Sequence, residues 1–156
     1  MLLKVFGDDP PPATTATGRI EPLEDRPAEV RVSFTDFAQQ LHATGFGFLH
    51  RRWQAGRLDG PILTAVDEDR VVGAIGPLNT LPDPHGQPVL LPQYFGVLPE
   101  HRGRGHGRAL WRAATEWAER NRAAYQLLQT ATGQVSDRLF LSEGLVSLGF
   151  SRAVTA

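Results

Sequence analysis

Residues 89–110 decide the fold of this chain, and they read VLLPQYFGVLPEHRGRGHGRAL. The apolar first half predicts a strand, and the second half predicts a loop that runs into a helix. The loop glycines are Gly103, Gly105 and Gly107. The loop arginines are Arg102, Arg104 and Arg108. Bare glycine backbone lets successive amides turn toward an anion, and arginines donate paired hydrogen bonds to phosphate oxygens, so the junction is predicted to hold a pyrophosphate.

The loop motif resembles that of the GNAT superfamily of N-acetyltransferases. The superfamily motif is Gln or Arg, two residues, Gly, one residue, then Gly or Ala, and residues 102–107 read RGRGHG. The lead-in VLPE at residues 97–100 and the ending LGF at residues 148–150 also follow the superfamily's order. The resemblance covers residues 61–152 and is poor over the first thirty residues.

The resemblance implies an α/β fold with a single GNAT-like domain. Its mixed central sheet would have a splayed fourth strand, with helices on both faces. Residues 1–30 are expected to form an N-terminal strand and a Pro-rich loop within this domain, and residues 31–156 to form the acyltransferase core.

The resemblance also implies acetyl-CoA, or another acyl-CoA, as co-substrate. Pantetheine would pair with Phe95, Gly96 and Val97, and the loop would take the pyrophosphate. The predicted loop ligands are Arg102, Gly103, Arg104, Gly105, His106, Gly107 and Arg108. An amine of a small molecule would attack the thioester directly in a ternary complex, with the oxyanion held by a backbone amide near Val97. Positioning can supply about 7–11 kcal/mol and a general base a factor of ~10²–10⁴, so positioning is expected to matter most.

The catalytic acid and base depart from the superfamily pattern. Counted back from LGF, the tyrosine that commonly serves as acid falls at Leu145, which has no hydroxyl. Tyr94 and Ser142 are the candidate substitutes, and deprotonation is assigned to ordered water or to His85. A thiolate also leaves tolerably without an acid, since a model cysteine thiol has a pKa of about 8.5.

The acceptor pocket is expected beside the first two helices, which form one of its walls in the resembling superfamily. Its predicted lining is Phe46, His50, Trp53, Gln93 and Leu145. For the aromatic residues, packing in the hydrophobic core is the plainer alternative.

Apolar spacing and turn residues predict the elements before the loop. A strand is expected at residues 2–6, a helix capped by Ser33 and ending near Gly45, and a second helix from about Phe46 to Gly56. A hairpin at residues 62–66 and 70–75 and one central strand at residues 89–98, bent at Pro92, complete this half.

The second half is predicted in the same way. An amphipathic helix is expected at residues 107–120 and a strand at residues 125–130. A last helix would be capped by Ser136 and Asp137, continue through Leu148 and end at Gly149, before a closing strand at residues 150–154.

Bulk composition limits the class of protein. The 156 residues, 41% of them hydrophobic, suffice for one core, and the net charge of -1 predicts no attraction to nucleic acid or to an anionic membrane. A cytoplasmic protein is expected, because no apolar run is long enough for a signal peptide or a membrane span. A monomer or homodimer is expected as well. The chain has no cysteine, and His101 and His106 are not spaced as a helical zinc pair, so no metal is expected.

Motifs of other phosphate-binding proteins and of serine hydrolases do not occur in this sequence. The dinucleotide pattern GxGxxG, the P-loop lysine and the serine elbow are all missing from the sequence. Two further functions stay open: a GNAT-like module that binds acyl-CoA with weak or no catalysis, and a GNAT-like transferase with another acyl donor such as aminoacyl-tRNA. The near-neutral charge argues against a tRNA donor, which would need a basic surface.

Overall fold

The computed structural model describes residues 1–7, 19–128 and 135–149. The strands in these ranges are β1 (Leu2–Val5), β2 (Glu21–Pro22), β3 (Leu63–Asp67), β4 (Arg70–Gly76), β5 (Thr80–Pro82), β6 (Pro88–Leu90), β7 (Tyr94–Val97), β8 (Tyr125–Leu128) and β9 (Val146–Ser147). The α-helices are α1 (Ala28–Gln40), α2 (Phe46–Gln54), α3 (His106–Arg120) and α4 (Val135–Ser142). Within these ranges, no helix combines the length and apolar character that crossing a bilayer requires.

The strands form two sheets that diverge from one another. One sheet has the order β2-β3-β4-β7 and the other the order β5-β6-β8-β1-β9. The described pairings are antiparallel except for β6 with β8, which is parallel, so the architecture is a mixed α/β domain. Strand β1 lies between β8 and β9 in its sheet. The expected boundary at residue 30 between the N-terminal segment and the acyltransferase core falls within α1.

The prediction of one continuous strand over residues 89–98 is wrong. The segment is divided at residues 91–93, so that β6 pairs with β5 and β8 while β7 pairs with β4. Pro92 has no N–H to give to a ladder, which ends β6 at this point. The side chain of Gln126 in β8 donates to the Gln93 amide oxygen at 2.9 Å and ties the two sheets together where they part. This division produces the splay that was expected of the fourth strand.

Helices cover both faces of the sheet that contains β7. A side chain at Gly73 would meet Leu110 of α3, whereas one at Gly96 would meet Leu41 and Phe46 beside α1 and in α2. Gly73 pairs with Val97 and Gly96 pairs with Ala74, and paired residues share a face, so the two glycines lie on opposite faces. The sheet is therefore packed between α3 on one side and the α1–α2 pair on the other.

The predicted helix cap at Ser33 is wrong. Helix α1 begins at Ala28, after Pro27, so Ser33 lies inside it. The Ser33 hydroxyl donates to the Val30 carbonyl and accepts a hydrogen bond from the Val71 amide at 2.9 Å. Ser33 therefore fastens the helix to β4 instead of starting the helix.

The predicted end of the last helix is also wrong. Helix α4 ends at Ser142, and Gly144 takes the left-handed conformation with φ of 88°. The chain then forms β9, in which Val146 pairs with Leu3 of β1. The N-terminal strand thus draws this segment into a sheet, which helical periodicity could not indicate. Ser136 and Asp137 fall within α4, and the closing strand at residues 150–154 lies outside the described residues.

The other predicted elements are confirmed. The hairpin forms with Glu68 and Asp69 at φ of 47° and 58°, the pattern of a two-residue hairpin turn. Helix α2 begins at Phe46 and α3 at His106, each within one residue of its expected start. Strand β8 begins at Tyr125 as expected, and residues 129–130 lie outside the described ranges.

Candidate cofactor and acceptor site

Strand β7 has an open edge among the described residues. It ends its sheet, and on its other side it pairs with β4. The Leu98 amide donates to the Val72 carbonyl at 2.8 Å, and every second residue of an antiparallel strand bonds to the same neighbour, so Leu98 and Gly96 point their backbone N–H and C=O toward β4. Phe95 and Val97 alternate with them and point their backbone groups toward the open edge. Backbone groups of these two residues therefore face the side of β7 that is open to an extended ligand.

Gly96 does not have the ligand-pairing role predicted for it. It lies two residues before Leu98, so its N–H and C=O also point toward β4. A Cβ atom here would lie 3.0 Å from Leu41 Cδ1 and 3.1 Å from Phe46 Cε2. The glycine is therefore required for close packing of the α1–α2 side on the strand and offers no backbone hydrogen bond to a ligand at the open edge.

The loop after β7 presents bare backbone at the start of α3. Gly103 and Gly105 have φ of 77° and 86°, a conformation that glycine alone takes without strain. No side chain within residues 1–7, 19–128 or 138–149 caps α3, and its first backbone hydrogen bond runs from the Ala109 amide to the Gly105 carbonyl. The amides at the helix N-terminus are left for an anion, with the positive end of the helix dipole behind them.

Gly107 belongs to the helix, not to the bare loop. It lies in the first turn of α3, where a Cβ would be 3.3 Å from the ring of Phe95 and 3.8 Å from Leu139. Its lack of a side chain brings α3 close to β7 and α4.

The three loop arginines each have a partner within the protein. Arg102 Nε donates to the Val97 carbonyl at 3.0 Å, and Arg104 Nη1 lies 3.3 Å from Asp67 Oδ2. Arg108 Nη1 contacts Glu143 and, at 3.2 Å, Ser142 Oγ. A guanidinium carries five N–H donors, so these contacts orient the arginines and use only part of their capacity. The Arg102 bond occupies the Val97 carbonyl, which leaves the Val97 amide for a ligand.

Glu143 holds the end of α4 against α3. Its side chain is 7% exposed, contacts Arg108 and accepts a hydrogen bond from Arg112 Nε at 3.0 Å. Lys4 of β1 donates to the Glu143 carbonyl, and burial lowers the pKa of Lys4 while the Glu143 carboxylate opposes that shift. This cluster sets the position of Arg108 beside the loop. Nothing in the sequence pattern pointed to Glu143.

His106 does not present its side chain to the loop, contrary to the prediction. It is 6% exposed, and burial lowers the pKa of its imidazole while the nearby Asp67 carboxylate opposes that shift. Its ring lies 6.5 Å from the ring of His101, between centroids, and His101 Nδ1 lies 3.2 Å from Asp67 Oδ2. Of His106, the backbone amide is what remains for an anion at the helix start.

The Tyr94 side chain lies on the face of the sheet that packs on α2, opposite the face that packs on α3. Its ring lies 6.2 Å from that of Phe46 and 6.4 Å from that of Phe48, and a side chain at Gly45 would collide with it. Phe46 is fully buried, so it packs beneath Tyr94 and does not line a pocket. Phe48, which was not among the predicted pocket residues, is 48% exposed and is an accessible aromatic side chain beside Tyr94.

His50 and Trp53 form a separate cluster farther along α2. Both rings pack on Phe34, with centroids 6.0 Å and 5.3 Å from it. His50 Nε2 pairs with Thr35 Oγ1 at 3.0 Å, and Trp53 Nε1 donates to Glu24 at 2.8 Å. Burial, with help from the Arg51 charge, lowers the pKa of His50. His50 is thus bonded to α1, and Trp53 to the 3-10 turn at Leu23–Asp25 that precedes it. Neither ring contacts Tyr94 directly among the described ring pairs, because Phe34, Phe37 and Phe46 lie between.

The remaining predicted site residues are dispersed. Gln93 binds Leu91 and Gln126 where the sheets part, and Leu145 is buried in the core. Ser142 donates its hydroxyl to the Leu139 carbonyl at 2.7 Å and accepts from Arg108. His85 lies at the tip of the β5–β6 hairpin, at the end of β6 remote from β7. Of the three catalytic candidates, Tyr94 is thus the one that lies on β7 itself.

Comparison with known proteins gives the same fold. Structures that superimpose on this chain include a Trypanosoma brucei acetyltransferase (TM-score 0.63, 16% identity, 88% of this chain and 99% of that one). A ribosomal-protein-alanine N-acetyltransferase from Brucella melitensis biovar Abortus 2308 gives a TM-score of 0.60 at 20% identity, over 88% of this chain and 98% of that one. An aminoglycoside N-acetyltransferase in complex with CoA gives 0.61 at 16% identity, over 88% and 98%. At these identities the likeness shows the fold alone.

Sequence comparison assigns the family. None of the curated proteins matches the chain in sequence. The model of the acetyltransferase (GNAT) family, however, matches residues 27–142, a span that contains β7, the glycine loop and α3. The resemblance drawn from the loop motif and the expected fold class are both confirmed. The chain belongs to the acetyltransferase (GNAT) family.

Proposed function

We propose that this protein transfers an acetyl group from acetyl-CoA to an amine of a small molecule. One observation carries the proposal: the open edge of β7 leads directly into a glycine loop and an uncapped helix N-terminus. An extended ligand that ends in a pyrophosphate would fit these two neighbouring sites, because the strand edge offers partners for amides and the helix start offers an anion site.

The cofactor would be held chiefly by backbone. The outward N–H and C=O of Phe95 would pair with the pantetheine amides, the Val97 amide would face the thioester, and the amides of residues 103–108 would receive the pyrophosphate. Arg104 and Arg108 flank that loop, each oriented by a carboxylate, and would add charge to it. This arrangement supports acetyl-CoA as donor over a tRNA ester, since the proposed contacts need no extended basic surface.

The proposed reaction is a direct displacement. The amine nitrogen attacks the thioester carbonyl, the C–S bond breaks, and CoA leaves as a thiolate while the nitrogen loses a proton to solvent. The Val97 amide, at the open edge, would donate to the oxyanion of the tetrahedral intermediate. Most of the rate enhancement would come from holding thioester and amine together.

Tyr94 is the proposed proton donor to the thiolate, and the wall of Phe48 and Tyr94 is the proposed acceptor side. Tyr94 lies on β7 next to Phe95 and faces α2, the helix expected to border the acceptor. Ser142 and His85 are weaker candidates because Arg108 holds the first and the hairpin tip carries the second away from β7.

One observation favours the second candidate function, an acyl-CoA-binding module without efficient catalysis. Leu145, at the position of the superfamily's tyrosine, is 3% exposed and packs in the core. The usual acid is therefore replaced by a structural apolar residue, which a protein that only binds acyl-CoA would tolerate.

The decisive experiment is release of free thiol from acetyl-CoA across a panel of amines that includes aminoglycosides, amino acids, polyamines and peptide N-termini. The chain contains no cysteine, so a chromogenic disulfide reagent reports CoA alone. We expect release well above background hydrolysis with one class of amine. Calorimetric binding of CoA without release for any amine would favour the binding module, and no binding at all would refute both.

A further inference from the structure

Three residues that are distant in sequence bring metal-ligating atoms together beside the glycine loop. Asp67 ends β3, His101 ends the short 3-10 turn at Pro99–His101, and His106 is the first residue of α3. One ligand atom from each lies within 4.8 Å of those of the other two. Two imidazoles and a carboxylate are a ligand set that suits Zn²⁺ and similar divalent transition metals.

The hydrogen bonding of the two histidines is incomplete. His106 is 6% exposed, and neither its Nδ1 nor the Nδ1 of His101 has a hydrogen-bond partner among the residues that the structure describes. Buried polar atoms are almost always paired, so two orphans in one cluster require an explanation. A bound cation would accept these nitrogens as ligands and remove the cost of burying them unpaired.

The spacing within the cluster matches a coordination shell. His101 Nδ1 and Asp67 Oδ2 are 3.2 Å apart without the geometry of a hydrogen bond. Two ligands at about 2.0–2.1 Å from a tetrahedral Zn²⁺ are separated by about 3.3–3.4 Å. The carboxylate also lies 3.3 Å from Arg104, and its remaining lone pairs allow it to serve both partners.

An ion has a route to the cluster and acidic neighbours around it. The side chains of His101 and Asp67 are 25% and 37% exposed, so one side of the cluster is open to solvent. Both residues line a cavity of about 80 Å³ that Asp36, Glu68 and Arg70 also border. Arg70 is paired with Asp36 at 2.7 Å, which leaves the cavity with a surplus of carboxylates.

We propose that Asp67, His101 and His106 bind one Zn²⁺ ion, with a fourth position open to water. The ion ties the β3–β4 hairpin to both ends of the loop at residues 102–105, because His101 precedes that loop and His106 follows it. The ion would therefore have a structural role: it would fix the loop backbone to which the proposed function assigns pyrophosphate binding. The metal site itself does not depend on that assignment.

Calorimetric titration of tag-free, chelator-treated protein with Zn²⁺ tests the proposal, with Mg²⁺ as the comparison ion. We expect one Zn²⁺ per chain, no comparable Mg²⁺ binding, and a rise in Tm of roughly 5–10 °C at 100-fold excess over Kd. Titration with Co²⁺ should give the visible absorption of a site with histidine ligands.

Three variants separate this site from adventitious binding. Asp67→Asn and His101→Ala should each weaken Zn²⁺ binding by more than the roughly 10–100-fold that loss of an outer-shell partner costs. His85→Ala, an exposed histidine in the β5–β6 turn, should leave it unchanged. Because both ligand variants alter partly exposed side chains, circular dichroism can verify their fold. Absence of saturable 1:1 binding, or equal affinity in all three variants, would overturn the proposal.

Discussion

The two sides of β7 are built in different ways. On the α3 side, the groups offered to a ligand are backbone amides, bared by Gly103 and Gly105 and supported by arginines with fixed partners. On the α2 side, the surface beside the strand is made of side chains, among them the exposed Phe48 and the half-buried Tyr94. Backbone geometry depends on a few left-handed positions, whereas an aromatic wall can change residue by residue. The cofactor side should therefore be sensitive to single glycines, and the acceptor side tolerant of substitution.

The largest expected effect is at Gly105. Gly105→Val places a side chain at φ of 86°, which costs about 1–2 kcal/mol, and covers the amides at the start of α3. We expect acetyl-CoA affinity to fall by at least ~100-fold in calorimetry, about 2.7 kcal/mol. Gly86→Val is the matched control, since Gly86 has φ of 79° and open space around it at the β5–β6 turn. Equal loss of affinity in both variants would show that strain, not the loop, is responsible.

A smaller effect is expected at Glu143, which supports the cofactor side from behind. Glu143→Gln removes a buried carboxylate that contacts Arg108 and Arg112, and we expect the free energy of unfolding to fall by about 1.5–3 kcal/mol. Asp59→Asn, which breaks an exposed pair with Arg52, should cost less than ~1 kcal/mol. Urea denaturation measures both. A loss at Glu143 no larger than at Asp59 would contradict the described network.

On the acceptor side, Tyr94→Phe tests the proposed acid. Because a thiolate leaves with little assistance, we expect kcat to fall about 10-fold, below the usual 10²–10⁴ for acid–base catalysis, with acetyl-CoA affinity unchanged. Tyr125→Phe, the chain's other tyrosine, removes a hydrogen bond to Asp83 in the remote hairpin and should leave kcat unaltered. An unchanged kcat in Tyr94→Phe would remove Tyr94 from the mechanism and leave solvent as the proton source.

The smallest expected effect is the contribution of His50 to the pH dependence of the free energy of unfolding. Burial holds the pKa of folded His50 below its ordinary value of about 6.5, so the unfolded chain takes up a proton that the folded chain resists. Stability should therefore decline as the pH falls through and below that value. His106 contributes in the same direction, so the measurement is the difference between wild type and His50→Gln in urea denaturation at neutral and mildly acidic pH. A steeper pH dependence in the variant would contradict the assigned sign.

Local sequence patterns were sufficient to predict much of the fold and the geometry of the glycine loop. The positive φ values at Gly103 and Gly105, the start of α3 and the hairpin turn at Glu68 and Asp69 follow from residues adjacent in sequence. Long-range pairing was not accessible in the same way. Periodicity extended the last helix to Leu148, but β1 pairs with residues 146–147 and forms a strand there.

The amino-acid sequence by itself determined the family, the glycine loop and the helix that receives it, because these depend on the order and spacing of neighbouring residues. Only the tertiary structure decided that residues 88–97 divide between two sheets, that Glu143 fixes Arg108, and that Asp67 joins His101 and His106. The reason is physical: each of these depends on which distant segments pack together. Burial and pairing across the fold set those contacts, and no local spacing records them.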